Sequence, residues 1–266
     1  MRVAFVQINP EFGHKSRNIE KALALMKSSP ADLYVLPELF ASGYVFISQN
    51  EVIELAEPFG EGETFKALGS FAKANKCAIV FGFAEKASEG YYNSSAFIDY
   101  SGRQSLYRKI QLFYEEKEYF LPGNLQLDVF NFQDAKLGMM ICFDWIFPEI
   151  TRVLALKGAD IICHPVNLVM PYCQDAMKTR SIENWVFAVT ANRIGEEKRD
   201  GKGFVFTGKS QITDCKGNVI YRAPDNKEEI FTADINIEEA RDKNINSFNN
   251  LWKDRRVDYY NRLGEL

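Results

Sequence analysis

Short apolar segments alternate with stretches that carry apolar residues at helical spacing along the first part of the chain. Residues 2–8, 33–36 and 77–83 are rich in β-branched and aromatic side chains, which predicts strands. Residues 18–26 and 64–73 place their apolar side chains on one face, which predicts helices. Such alternation is typical of an α/β fold in which helices cover the faces of a sheet.

A hairpin and then a second alternation follow. Residues 94–99 and 104–109 are strand-like and flank Ser101-Gly102, which predicts a hairpin with a glycine-containing loop. The triplet Asn93-Ser94-Ser95 in front of it is interpreted as a turn. Further strands are predicted at 137–142, 159–163, 186–190, 209–213, 219–222 and 229–235, and further helices at 148–156 and 174–184. Mixed sheets flanked by helices are the architecture that this pattern favours.

The domain organisation follows from what separates these segments. No stretch rich in Gly, Pro or Ser interrupts them and no internal repeat is present, so we predict one domain over residues 1–240. Residues 241–266 are charged and aromatic, and they are predicted to form a C-terminal arm of the same domain. The apolar fraction of 46% is enough for a sizeable buried core.

Charge and cysteine usage narrow the functional class. A net charge of −4 gives no reason to expect nucleic acid or an anionic membrane as a partner. No apolar run is long enough to span a bilayer, and the N-terminus lacks the features of a secretory signal. The five cysteines are scattered and never form C-x-x-C, which argues against a disulfide framework and a thiolate metal site. We therefore predict a cytoplasmic protein without a structural metal.

Cys142 has a position suited to a nucleophile. It ends a predicted strand, in the stretch MMICFDWIFPE, a few residues before the helix that begins at Pro148. Free N–H groups and the helix dipole favour a thiolate at such a position. A buried structural cysteine fits the same context, so the sequence leaves both interpretations open.

A nucleophilic thiol needs a base and a group that stabilises an oxyanion. A histidine base would have to be His164 rather than His14, although a buried imidazole fits the position of His164 equally well. Glu38 follows another strand in an apolar setting that raises a carboxyl pKa toward the range of a general base. Lys109 ends a third strand, where its ammonium could hold an oxyanion or lower the thiol pKa. Strand ends gather at one edge of an α/β sheet, so these side chains are expected to meet.

The stretch Gly203 to Ser210 matches the phosphate-loop pattern G-x-x-x-x-G-K-[ST]. That loop requires a helix after the serine, because the helix N-terminus binds the phosphates. Residues 211–221 instead predict a strand, a turn and a returning strand. The sequence therefore argues against nucleotide binding here.

At Glu38, Lys109 and Cys142 the sequence resembles the nitrilase, or carbon–nitrogen hydrolase, superfamily. The likeness covers nearly the whole chain, and the small archaeal-type members look most similar. It rests on the ordered blocks VAFVQINPEFG, LPELFASGY, YRKIQLFYEEKEYFLPG, GMMICFDWIFPEITRVLALKGADII, HPVNLVMPY and ENWVFAVTANRIG.

The resemblance implies a role for each matching residue. Cys142 would be the nucleophile, Glu38 the general base and Lys109 the cation that stabilises the tetrahedral intermediate. Glu116 matches the second glutamate of the family's site, although the neighbouring glutamates leave that alignment open. The backbone N–H of Phe143 would be a second oxyanion donor, and no metal or organic cofactor is required. Pocket residues are expected to include Tyr44, Phe113, Trp145, Asn167 and Tyr172.

The resemblance also implies the architecture: a single-domain, four-layer αββα sandwich that forms a homodimer or a higher even homo-oligomer. The C-terminal arm would cross to the partner, and packing of the arm on its own chain is the alternative. Small linear amides are the favoured substrates, with release of ammonia through a cysteine thioester. Small aliphatic nitriles and N-carbamoyl compounds are the alternatives, and a non-catalytic scaffold is the alternative from another class.

Overall fold

The computed structural model describes residues 1–260, in which strands and helices follow one another as the apolar pattern predicts. The strands are β1 Arg2–Gln7, β2 Leu33–Val35, β3 Ala78–Lys86, β4 Tyr91–Asp99, β5 Gln104–Arg108, β6 Val129–Phe132, β7 Ala135–Met139, β8 Ile161–Pro165, β9 Phe187–Ala191, β10 Glu196–Arg199, β11 Lys202–Val205, β12 Gln211–Thr213, β13 Val219–Arg222 and β14 Glu229–Asp234. The helices are α1 Lys15–Ser28, α2 Gln49–Leu55, α3 Gly62–Asn75, α4 Glu116–Tyr119, α5 Pro148–Leu156, α6 Cys173–Asn184 and α7 Glu238–Arg241, with 3-10 turns at Cys142–Ile146 and Val257–Tyr259.

Two six-stranded sheets make up the centre of the molecule. The first sheet has the order β14-β1-β2-β3-β4-β5, and the second has the order β13-β12-β9-β8-β7-β6. In the first sheet β1, β2 and β3 are parallel, and in the second β7, β8 and β9 are parallel. The remaining pairs in both sheets are antiparallel. The two sheets are therefore similar mixed sheets, each with three neighbouring parallel strands, and β14 from near the C-terminus completes the first.

The sheets pack face to face and carry helices on their outer faces. One core lies between the sheets and includes Phe5 and Val80 from the first and Leu137 and Ile161 from the second. A separate core joins the outer face of the first sheet to α1 and α3. Burial on both faces explains why β3 is an almost continuous apolar run rather than an alternating one. The result is the expected αββα sandwich in a single domain.

The helices form where the local sequence favours them. In α1, the buried residues Ile19, Ala22 and Met26 recur at the spacing of one helical face. Helix α5 begins with Pro148, whose fixed φ and missing N–H suit the first helical position. The pattern did not predict α2, α4, β6 or the hairpin of β10 and β11. These elements are short or strongly polar, so they carry little hydrophobic periodicity.

Two local predictions were wrong. Strand β7 ends at Met139, so Cys142 lies beyond the strand, in a 3-10 turn. Asn93 is a buried residue within β4 rather than part of a turn. A run of buried apolar residues continues past Met139, and for that reason the sequence alone extends the strand too far.

The segment from Gly203 to Ser210 leads from β11 directly into β12, as the sequence predicts. Lys209 has φ +57, and its ammonium lies 3.5 Å from a carboxylate oxygen of Asp225. The buried Ser210 hydroxyl donates to the side-chain carbonyl of Gln7 at 2.8 Å. The serine therefore joins the two sheets and does not face a phosphate.

The first residues of the C-terminal arm pack against the chain to which they belong. The Lys243 ammonium donates to the backbone carbonyl of Trp185 at 2.7 Å, and it lies 5.2 Å from the Trp252 ring. Phe248, by contrast, is 91% exposed. Residues 261–266, which belong to the predicted arm, lie outside the described residues. Within residues 1–260, every helix falls short of the length and apolarity that crossing a membrane requires.

Candidate active site

Three chain segments bring Glu38, Lys109 and Cys142 together where β2, β5 and β7 end. Glu38 and Lys109 are fully buried, and Cys142 is 5% exposed. Gly82 in β3 makes this arrangement possible, because a Cβ atom there would lie 2.5 Å from the Cα of Glu38. No local pattern marks this glycine, because its role depends on the contact between β3 and the segment that carries Glu38.

One ammonium binds two carboxylates. The Lys109 Nζ lies 2.7 Å from Oε1 of Glu38 and 2.7 Å from Oε1 of Glu116. Burial by itself would lower the pKa of Lys109, but the charges of Glu116 and Glu38 outweigh it and raise that pKa. Lys109 therefore remains a cation at neutral pH.

The contacts of the glutamates distinguish Glu116 from its neighbours. Glu116 is buried against Lys109, and its second oxygen accepts from the backbone N–H of Phe113 at 3.1 Å. Glu115 instead pairs with Lys202 at 3.1 Å, and Glu118 is exposed. Glu116 is thus the glutamate that lies beside Lys109 and Glu38.

The Glu38 carboxyl has two unlike oxygens. Oε1 accepts from Lys109 and, at 2.7 Å, from the side-chain amide of Asn93. Oε2 is buried and has no hydrogen-bond partner among the described residues. Burial raises the pKa of Glu38 to about 7, although the charge of Lys109 opposes this shift. A carboxyl with this pKa exchanges protons readily near neutral pH.

Cys142 has a left-handed backbone conformation, with φ +41. Its Sγ lies 3.8 Å from the backbone carbonyl of Asn167, and the Asn167 side-chain amide donates to the Glu38 carbonyl at 2.8 Å. Burial and the charge of Glu38 raise the pKa of the Cys142 thiol well above its ordinary value, despite the opposing charge of Lys109. Lys109 thus lowers this pKa, as the sequence predicts, but burial outweighs its effect.

His164 lies within β8 and does not serve the thiol as a base. Its Nε2 lies 3.1 Å from the backbone carbonyl of Cys142, and its Nδ1 lies 3.3 Å from the Thr190 hydroxyl. Burial lowers the pKa of His164 to about 3. The ring is therefore neutral at physiological pH, and it contacts the backbone of Cys142 instead of the sulfur.

A second group of residues supports Glu116. The Tyr44 hydroxyl donates to Oε1 of Glu116 at 2.7 Å. The backbone N–H groups of Tyr44 and Val45 both donate to the buried carboxylate of Glu197, which also pairs with Arg193. Glu197 belongs to the hairpin of β10 and β11 that the sequence pattern did not predict. No local sequence pattern indicates that Glu197 holds the backbone at Tyr44, because the two residues are separated by about 150 positions in the chain.

Buried Asp144 fixes the turn that carries Cys142. Its carboxylate accepts from the Tyr107 hydroxyl at 2.7 Å and from the backbone N–H of Ile141 at 2.8 Å. It also accepts from the N–H of Gln111 at 3.1 Å. Asp144 thus ties the turn after β7 to the segment that follows Lys109.

Two small cavities flank these residues. The first encloses about 240 Å³ including its mouth, and the second encloses about 320 Å³. Lining the first cavity are Phe113, Cys142, Phe143, Trp145, Asn167, Leu168, Val169 and Met170. Lining the second are Tyr44, Val45, Phe46, Tyr114, Glu115, Glu116, Tyr119, Phe120 and Phe204. Four of the five expected pocket residues therefore line one cavity or the other.

Tyr172 is the exception among the expected pocket residues. It is 63% exposed, lies immediately before α6 and lines neither cavity. We therefore leave Tyr172 out of the candidate site. In the described part of the chain, no group of three or more His, Cys, Asp or Glu side chains is arranged to hold a metal ion.

Comparisons with known proteins show the family to which the chain belongs. The sequence model of the carbon–nitrogen hydrolase family matches residues 2–244. The chain is 46% identical to a protein named nitrilase from Pyrococcus abyssi, over 98% of this chain and 100% of that protein. It is 32% identical to an (R)-stereoselective amidase from a Pseudomonas species, over 84% of this chain and 81% of that protein.

A solved structure extends the likeness to the fold. The carbon–nitrogen hydrolase from Helicobacter pylori G27 superposes with a TM-score of 0.88 and 27% identity, covering 99% of this chain and 98% of that one. The match of the family model over nearly the whole chain agrees with this superposition and with the two relatives. The chain belongs to the carbon–nitrogen hydrolase family and is a carbon–nitrogen hydrolase.

Proposed function

We propose that this enzyme hydrolyses small linear amides to a carboxylic acid and ammonia through a thioester on Cys142. The observation that carries the proposal is the difference in hydrogen bonding between the two carboxyl oxygens of Glu38. One oxygen of Glu38 is held by Lys109 and Asn93, and the other is unpartnered. Burial and, after it, the charge of Glu38 raise the pKa of the Cys142 thiol, so the carboxylate and the thiol interact. A base of this kind can take the thiol proton directly.

In the first half of the reaction, Glu38 accepts the proton of Cys142 as sulfur bonds to the amide carbon. The carbonyl electron pair moves to oxygen, and the Lys109 ammonium and the Phe143 N–H stabilise that charge. The carbon–nitrogen bond then breaks with its electron pair on nitrogen. Glu38 returns its proton to that nitrogen, and ammonia leaves.

In the second half, water attacks the thioester and gives a proton to Glu38. The tetrahedral intermediate collapses, the carbon–sulfur bond breaks, and the proton returns to the sulfur of Cys142. Glu116 and Tyr44 hold Lys109 in place through both halves. Glu38 relays every proton in these steps, one from the thiol and one from water, and Lys109 and one backbone N–H stabilise the charge that develops on oxygen.

The size of the site supports a small substrate. The two cavities are small, at about 240 and 320 Å³ even when their mouths are included. The walls are mostly aromatic and aliphatic, which suits a short apolar acyl group. Oxyanion donors favour an amide, because its first adduct carries the negative charge on oxygen.

Nitrile hydrolysis is the second candidate, and the 46% identical protein named nitrilase favours it. Attack of Cys142 on a nitrile gives a planar thioimidate whose charge lies on nitrogen. The same site must then add water before ammonia leaves. N-carbamoyl compounds, which carry an amide carbonyl like the favoured substrates, are the third class to test.

The test is an ammonia-release screen with chain-matched substrates. Each alkyl chain R is offered as the amide R–CO–NH2, the nitrile R–CN and the N-carbamoyl amine R–NH–CO–NH2, with Cys142→Ala as the control for background hydrolysis. The proposal expects the highest kcat/KM for the amides. A nitrile that turns over faster than its matching amide would replace the first candidate by the second. Ammonia release that persists in Cys142→Ala would contradict both.

We also propose that two copies of the chain associate through the helices that cover the second sheet. Large apolar side chains are exposed on the neighbouring helices α5 and α6, including Val153, Leu156 and Ile182. Light scattering is expected to give the mass of a dimer or a higher even oligomer. Val153→Glu should shift it toward the monomer, while Ile53→Glu, on exposed Ile53 of α2, serves as a matched control. A wild-type monomer at micromolar concentration would contradict this proposal.

For the cellular location we propose the cytoplasm. All five cysteines are unpaired and buried. A reducing compartment keeps the proposed nucleophile in its thiol form. A fluorescent fusion that locates outside the cytoplasm would contradict this assignment.

A further inference from the structure

The peptide unit that joins Cys142 to Phe143 is held from one side. Cys142 has φ +41, a conformation that side chains with a Cβ atom rarely adopt without support. The support is a hydrogen bond from His164 to the backbone carbonyl of Cys142, at 3.1 Å. His164 and Thr190 are both fully buried, so water does not compete for these groups.

The tautomer of His164 follows from its two partners. A carbonyl oxygen can only accept, so Nε2 must carry the proton that it donates to Cys142. A neutral ring then has a lone pair on Nδ1, which accepts from the Thr190 hydroxyl at 3.3 Å. The chain Thr190 to His164 to Cys142 therefore runs in one direction, with every hydrogen donated toward the carbonyl.

This chain determines where the next N–H points. The peptide bond is trans, so its carbonyl and its N–H point in opposite directions. The carbonyl of Cys142 faces His164, and the N–H of Phe143 therefore points away from it. This N–H has no acceptor among the described residues, and Phe143 lines the same cavity as Cys142.

We infer that His164 is a positioning residue that aims and polarises the Phe143 N–H for the oxyanion. Donation to the carbonyl of a peptide unit draws electron density from its nitrogen and makes its N–H a stronger donor. A preorganised donor has its largest effect where charge develops in the transition state. The inference rests on the proposed function, because it requires a tetrahedral intermediate on Cys142.

Three variants test the role of His164. His164→Met keeps most of the volume but removes the donor, and it is expected to lower kcat by about tenfold to a hundredfold with little change in KM. This loss is smaller than the one for deleting an oxyanion donor itself. His164→Gln can still donate from its amide and should recover most of kcat. Cys163→Ala, the neighbouring change in β8, controls for disturbance of the strand.

Inhibitor binding distinguishes a loss of Phe143 N–H orientation from a general disturbance of the site around Cys142. An aldehyde of the same chain as the best amide, such as butanal for butanamide, adds to the thiol and forms an oxyanion-like centre. Alkylation by iodoacetamide forms no such centre at the attacked carbon. His164→Met should therefore weaken aldehyde inhibition in proportion to kcat, while the rate of Cys142 alkylation stays near that of the wild type.

Each other outcome overturns the inference. The inference is wrong if kcat is unchanged in His164→Met, or if His164→Gln is as slow as His164→Met. It is also wrong if the rate of Cys142 alkylation falls in parallel with kcat. If His164→Met does not fold, Thr190→Val takes its place, since it removes the donor to Nδ1 and should reduce kcat and aldehyde affinity together by a smaller factor. A wild-type enzyme that neither releases ammonia nor binds the aldehyde removes the proposed function first, and this inference with it.

Discussion

Asn93 donates a hydrogen bond to the same Glu38 oxygen that binds Lys109, at 2.7 Å. The two donors leave the other oxygen of Glu38 without a partner among the described residues. Asn93 therefore orients the carboxyl as well as stabilising its charge. A buried amide, fixed in β4, thus decides which oxygen of the proposed base is free to receive a proton.

The acid limb of the pH–rate profile should follow the ionisation of Glu38. The raised pKa of about 7 means that the carboxylate, and with it kcat/KM, is lost as pH falls through about 7. Asn93 donates to the charged form, so Asn93→Leu should raise the pKa and move this limb to higher pH. Profiles of both proteins, measured with one amide, check the shift. An unmoved or lower midpoint in the variant would contradict the assignment.

Glu38→Gln keeps the shape of the side chain but cannot accept a proton. It should lower kcat by about a hundredfold or more, which is the usual contribution of a general base. The acid limb near pH 7 should disappear with it. Glu118→Gln, at an exposed glutamate, is the matched control. An acid limb of wild-type shape in Glu38→Gln would show that another group is the base.

The pH dependence of Cys142 alkylation should follow the ionisation of Glu38 and not the ionisation of the thiol itself. The pKa of this thiol is raised by burial, so the free thiolate is scarce at neutral pH. The rate of modification by iodoacetamide should rise as Glu38 ionises and level off above a pH of about 7. Peptide mapping distinguishes Cys142 from the other cysteines. A rate that keeps rising steadily at higher pH would mean that the thiol ionises without Glu38.

Cys142→Ala should abolish turnover and leave the fold intact. The substitution removes one small buried atom, so the free energy of unfolding is expected to change by about 1 kcal/mol or less. Urea unfolding and ammonia release, measured on the same preparation, separate the two effects. Retained activity would show that Cys142 is not the nucleophile.

The sequence pattern was sufficient for mixed sheets flanked by helices and for placing the residues of the proposed triad near strand ends, and the resemblance to the family supplied the four layers and the roles of the triad. Buried strands must be apolar, so their ends can be located within a few residues, and Glu38, Lys109 and Cys142 follow such ends. The contacts that orient the triad join residues that are far apart in the sequence. Asn93 meets Glu38 across 55 residues, and His164 meets Cys142 across 22. No local pattern encodes such pairs, because each depends on how the strands pair and how the two sheets pack.

Lys109 should be as important for stability as for catalysis. Lys109→Met leaves the carboxyls of Glu38 and Glu116 buried without a cation, which is expected to cost about 3–5 kcal/mol of unfolding free energy. Loss of the cation also raises the pKa of Glu38 further above its unfolded value. The variant is therefore destabilised least at low pH, where Glu38 is neutral, and increasingly as pH rises through and beyond about 7. Urea unfolding of wild type and variant on both sides of this pH measures the difference, and adding Glu38→Gln to Lys109→Met should recover part of it. Equal destabilisation at both pH values would mean that the ammonium does not compensate the buried carboxyls.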